Sequence, residues 1–190
     1  MISDLLKTET ACHHEAIENA KRLTRLGSED FSKAEYIELL EKFYGFYQPL
    51  ERAFGQHPEI MDALAYHQRF KLPLLQKDLM FFDHTPESLA QLPECTDLPP
   101  TETMAQALGC IYVMEGSTHG SQFIAKRLRA HFNLESQGLA FYEGYGKDTM
   151  SQWKAFKTYL DESVAQNGEG DAVVHAAGET FQALHRWMDQ

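Results

Sequence analysis

No stretch of this sequence reaches the roughly 20 consecutive apolar residues that a membrane-spanning helix requires. Its start, Met1-Ile2-Ser3-Asp4-Leu5-Leu6, lacks the basic segment and apolar run of a secretory signal. The expectation is a cytoplasmic protein with no membrane partner. Cysteine is sparse: Cys12, Cys95 and Cys110 are the only three. An odd number without a Cys-x-x-Cys pair argues against a disulfide framework or a zinc ribbon and fits reduced thiols. Cys12 and Cys110 fall in predicted helices and read as small core residues. Basic residues are outnumbered, 17 Lys and Arg against 28 Asp and Glu, for a formal net charge of −11. A surface of that sign repels phosphate backbones, so nucleic acid is not expected as a partner. Tandem β-branched runs and Asn-Gly or Asp-Gly hairpin signals are scarce. The pattern Glu-x-x-His is absent, which removes the ligand set of a ferritin-like di-iron bundle. Internal repeats and low-complexity tracts are absent too.

What is present is helix. The 190 residues, 43% hydrophobic and 24% charged, suffice for one soluble domain with a substantial core. Ser3 or Asp4 can cap a first helix running to about Leu26. Ser32-Lys33-Ala34-Glu35 is a capping box. It opens a helix whose stripe of Tyr36, Leu39, Leu40, Phe43, Tyr47, Leu50 and Phe54 repeats at 3.6 residues, with Pro49 inside it. Residues 58–82 read as one or two helices interrupted near Pro73, and the proline-rich stretch 83–100 as a long connection. Thr101 or Thr103 caps a helix expected to run through Tyr112 to about Phe132. Gly138 to Lys147 reads as a loop, Met150 to Ala165 as a helix, and Gly168 to Gly170 as a break. A last helix from Asp171 to Met188 turns Val174, Ala177, Phe181, Leu184 and Trp187 or Met188 inward. No linker divides this layout, so the expected fold is all-α, a single-domain multi-helical bundle over residues 1–190.

Two segments carry chemistry. In the first helix His14 and Glu18 stand four apart and share a face. A carboxylate so placed accepts the Nδ1–H of the imidazole and leaves neutral Nε2 for a metal. A surface His/Glu pair has the same spacing. Adjacent His13 keeps the choice open, because Leu6 and Ile17 do not select between the two rings. In the second segment, Gly109 to Gln122, the residues Gly116, Ser117, Thr118, His119, Gly120 and Ser121 interrupt a helical pattern with small and polar side chains. Each glycine costs a helix interior about 1 kcal/mol against alanine. Either the helix bends and bares its backbone to a flat ligand, or it packs closely on another helix through Gly116-x-x-x-Gly120.

Together and in order, these segments resemble the haem oxygenases. Leu6-Lys7-x-x-Thr10-x-x-x-His14-x-x-x-Glu18 is similar to the family's proximal helix, and Gly116 to Gln122 to its glycine-rich distal helix. Tyr112-Val113-Met114-Glu115-Gly116-Ser117-Thr118 most resembles the bacterial, bacteriophytochrome-associated branch. Further likeness lies in Leu75 to Phe81, Gly138 to Tyr142, and Thr180-Phe181 to Trp187. The resemblance implies a haem-oxygenase-like bundle in which haem is both substrate and cofactor. Oxygen and a reductant, from a ferredoxin or a flavin reductase, would cut the ring to biliverdin, iron and carbon monoxide. It places the proximal iron ligand on His14 with Glu18 behind it, and Gly116 and Gly120 on the distal helix. Lys7 falls near the haem edge and Lys154 near the propionates; a solvated helix face accounts for either lysine equally well.

The chain departs from the family pattern in two ways. Ser117 stands where animal members carry a distal aspartate, and Ser117 and Thr118 with backbone groups would have to hold water there. His119 stands where the family usually has an apolar or small residue, and Ser121 replaces a glycine. A His119 facing the haem would donate to bound oxygen or occupy the sixth iron site. The expectation here is that it faces away and pairs with Glu115 at i,i+4. The alternative function is a haem-binding or haem-sensing protein without turnover. A relative acting on another small molecule, such as a thiaminase-like protein, is a further one.

Overall fold

The expected first helix is three short ones in the computed structural model, which describes residues 1–135 and 137–190: α1 (Ile2–Glu9), α2 (Ala11–Glu18) and α3 (Lys21–Arg25). The first break falls at Thr10, whose hydroxyl donates to the Leu6 carbonyl at 2.7 Å, a local bond that competes with the helical ladder. Neither expected cap operates. Ser3 is buried and gives its amide and hydroxyl to Asp161, both at 2.9 Å, tying α1 to a distant helix.

The capping box does form. Ser32 Oγ accepts from the Glu35 amide at 3.2 Å while Glu35 Oε2 accepts from the Ser32 amide at 2.8 Å, and α4 (Lys33–Phe54) follows. Every residue of the expected stripe is buried. Pro49 sits inside α4 and has no N–H for the Gly45 carbonyl, which accepts instead from Cys95 at 2.9 Å. The connection around Pro93 crosses there so closely that a Cβ on Gly45 would collide with the Pro93 carbonyl.

Next come α5 (Pro58–Leu64), a 3₁₀ turn (Tyr66–Arg69) and α6 (Leu72–Phe81). α6 has Pro73 in its first turn and no side-chain cap of its own. Glu51 from α4 serves that end, accepting from the Lys71 and Leu72 amides at 2.5 and 3.2 Å. The connection 83–100 holds one short helix, α7 (Pro86–Leu89), opened by a Thr85–Ser88 capping box.

Thr103 caps α8 (Met104–Gly116), and the helix expected to continue to Phe132 is divided at Ser117 from α9 (Thr118–Phe132). Side chains account for the division. Ser117, Thr118 and Ser121 each turn a hydroxyl back onto the carbonyl three residues earlier, Met114, Glu115 and Thr118, at 2.7–2.8 Å. The expected loop 138–147 contains α10 (Ala140–Glu143), whose first amides are taken by buried Asp78 at 2.7 and 2.8 Å. After a 3₁₀ turn (Gly146–Asp148) come α11 (Thr149–Asn167) and α12 (Gly170–Asp189).

α8 and α12 form the central pair. Their approach requires Gly109, where a Cβ would strike the Val173 carbonyl and Ala176. α12 also carries α1, α2, α3 and α4 against it, and α11 packs on α1 and α8. Of the expected inward residues on α12, Ala177, Phe181, Trp187 and Met188 are buried, while Val174 and Leu184 are half-buried. Cys110 is buried as expected, but Cys12 is exposed, because α2 buries only Ile17.

Candidate haem site between α2 and the α8/α9 bend

α12 is the wall shared by the two segments singled out in the sequence, since it packs against both α2 and α8. It also separates the neighbouring histidines. His13 is half-buried and its ring lies over Gly178, with Nε2 3.4 Å from the position a Cβ would take. His14 is 59% exposed, with its ring edge-on to Phe181 of α12 at 5.8 Å. His14 Nδ1 is 3.5 Å from Glu18 Oε1, so its Nε2 is the ring nitrogen left over.

On the other side, Ser117 and Gly120 are exposed, and a Cβ on Gly120 would meet nothing within 4 Å. Gly116 differs: its bare face looks at Trp153, 3.7 Å away. Buried Tyr47 of α4 stands near Ser117, whose hydroxyl donates to the Met114 carbonyl at 2.8 Å. Burial pushes the Tyr47 phenol well above its ordinary range, so the group stays an O–H donor.

His119 is exposed, and its partner is not the expected Glu115. Its ring stands edge-on to Trp153 at 5.0 Å with Nδ1 3.2 Å from the Gly116 carbonyl. Glu115 is fully buried. It faces Lys71 Nζ at 2.8 Å, Tyr145 Oη at 2.7 Å and Arg69 at 3.4 Å. Ser121 is buried and its hydroxyl is spent on Thr118, so it does not share the exposed face of Ser117 and Gly120.

Lys7 and Lys154 are exposed. They stand on α1 and α11, which pack against each other. Ser3 meets Asp161 between them. Tyr112 of α8 lies 5.5 Å from Trp153 of α11. Tyr112, Tyr47 and Trp153 were not singled out from sequence as site residues. Tyr47 belongs to the α4 stripe and reads there as core; nothing local marks Trp153.

An all-helical bundle in which α12 packs against both the helix of the histidine–carboxylate pair and the helix leading to the hydroxyl-rich bend is the architecture of a haem-oxygenase-like protein. Comparison with known proteins narrows it. A family model described as heme oxygenase matches residues 1–190, and the chain belongs to the haem oxygenase family. A haem oxygenase from Xanthomonas campestris pv. campestris is 22% identical over 160 residues, covering 84% of this chain and 92% of that protein. The fold is similar to that of haem oxygenase from Leptospira interrogans, with a TM-score of 0.79, 20% identity and coverage of 99% and 98% of the two chains. Haem oxygenase-1 from the cyanobacterium Synechocystis, solved in complex with haem, gives a TM-score of 0.79 at 16% identity over 99% and 90%. The narrower bacteriophytochrome-associated branch rests on residues 112–118 alone.

Proposed function

We propose that this haem oxygenase binds haem between α2 and the α8/α9 bend, with His14 Nε2 on the iron, and cleaves the ring to biliverdin, iron and carbon monoxide using oxygen and a reductant. The observation that carries the assignment is the contrast between the two histidines: His13 is packed over Gly178, whereas His14 is open, with a carboxylate at Nδ1 and Nε2 free. The residues fit a flat macrocycle. Gly120 has space above it where a side chain would otherwise stand.

In this reading Glu18 holds the His14 tautomer. Haem, once bound, supplies the iron that activates oxygen and the carbon skeleton that is cut. Ser117 and Thr118 with backbone groups hold ordered water on the distal side, where animal members carry an aspartate. Lys7, Lys154 and Tyr112 flank the edge suited to the propionates; an exposed ammonium–carboxylate pair contributes about 1 kcal/mol or less. His119 stays on Trp153, off the iron, which favours turnover over haem sensing. Gly116 and Ser121 shape the bend rather than touch iron.

The electron donor fits a ferredoxin or a flavin reductase. None of the described helices is long and apolar enough to cross a membrane. The three unpaired thiols suit the reducing cytoplasm. The domain is a single unit over residues 1–190. Haem titration followed by reductant in air tests the function. Loss of the Soret band with appearance of bilin absorbance is expected, and an unchanged Soret band with no bilin would overturn it.

A further inference from the structure

Beneath the α8/α9 bend lies a charge cluster that the site just described does not use. Glu51, Arg69, Lys71 and Glu115 are all buried, each less than a tenth exposed. Glu115 is the penultimate residue of α8 and sits at its negative end, where a carboxylate is unfavourable unless cations neutralise it. Lys71 and Arg69 do so. Lys71 Nζ also donates to Tyr145 Oη at 2.5 Å and to the Arg69 carbonyl at 2.7 Å, and Arg69 reaches the Gln152 carbonyl at 3.1 Å. Three segments therefore meet on one carboxylate, the end of α8, the turn before α6 and the turn before α11, and Arg69 ties α11 itself to them.

Glu51 is held by backbone amides, whereas Glu115, Lys71 and Arg69 face one another, and removing Glu115 strands the two cations in a place with little water. A buried ion cluster is weak evidence of net stability, because desolvation offsets the attraction, but it fixes the geometry of the groups it joins. The geometry imposed here is local. Glu115 immediately precedes the residues whose hydroxyls break the helix, and its own carbonyl accepts from Thr118 at 2.7 Å.

We infer that Glu115 is a positioning residue: gripped by Lys71, Arg69 and Tyr145, it sets where the distal helix breaks and thereby where Ser117 and Gly120 stand over the ligand. The functional half of this rests on the proposed haem site; the structural half does not.

Hydrogen exchange in the haem-free protein separates the two. In Glu115→Gln the amides of residues 117–121 exchange faster by about tenfold, and in Tyr145→Phe, which removes one hydroxyl and leaves every charge, by about threefold to fivefold. Exchange in α8 before residue 113 stays at the parent level. The haem-loaded variants then give a bilin isomer ratio different from that of the parent. A purely stabilising role would lower the melting temperature without localising the exchange or moving the ratio. Tyr145→Phe folds with the charges intact, so unchanged exchange at 117–121 in that variant overturns the proposal. Localised exchange in a parent that binds no haem would instead leave the clamp standing and remove the haem site.

Discussion

The His13 ring rests on Gly178, its Nε2 3.4 Å from where a side chain on that residue would begin. This contact commits one of two adjacent histidines to packing between α2 and α12 and leaves the other free. His14→Ala is therefore expected to weaken haem binding by more than the ten- to hundredfold typical of removing a ligand's supporting partner, with Glu18→Gln falling in that range. His13→Ala keeps the imidazole-ligated ferric spectrum. Added imidazole restores that spectrum in His14→Ala. Absorbance titration decides; a His13→Ala protein that alone loses the ligand spectrum would reverse the assignment.

His119 is docked on Trp153 and the Gly116 carbonyl. His119→Ala should leave the ferric spin state unchanged and haem affinity within about threefold, a difference of roughly 0.6 kcal/mol. Electron paramagnetic resonance of the ferric complex is the check. A low-spin parent that becomes high-spin on this substitution would establish a sixth histidine ligand and favour haem sensing.

The approach of α8 to α12 leaves no room at Gly109 for even a methyl group beside the Val173 carbonyl. Gly109→Ala is expected to cost about 1–3 kcal/mol or somewhat more, because backbone and not a flexible side chain stands in the way. Urea unfolding measures it. An unchanged midpoint would mean that the helix pair slides apart at no cost.

Burial pushes the Glu51 carboxyl up to about 7, against the pull of the two amides it accepts from. Asp78 is likewise raised, to about 6, by burial. Both folded values exceed those of the unfolded chain, so the folded state holds the extra protons. Their contribution is fully present below about pH 4 and is lost as pH rises toward 7. Melting temperature should fall across that window apart from other titrations, and Glu51→Gln should flatten the upper part of the slope. A parallel slope in the variant would remove Glu51 as its source.

Local signals were legible in the sequence because their partners lie within a turn or two. The Ser32–Glu35 box, the α4 stripe, the Thr103 cap and the small-residue segment at 116–121 all declare themselves by spacing. So does the His14–Glu18 pair, down to the contact at Nδ1. The failures were at competing local bonds. Thr10 broke the first helix and Ser117, Thr118 and Ser121 the distal one through hydroxyls whose bonding no periodicity records.

Sequence by itself determined that this chain is helical, where its strongest helix starts lie, and which family it resembles. Tertiary structure alone decided which histidine is free, since Gly178 is far along the chain from His13. It also decided what Glu115 binds. The helix-neighbour rule pointed to His119, but the buried carboxylate took Lys71, Arg69 and Tyr145, which are 44, 46 and 30 residues away. A charge removed from water must find opposite charge wherever packing brings it, and that choice is made in space rather than along the chain.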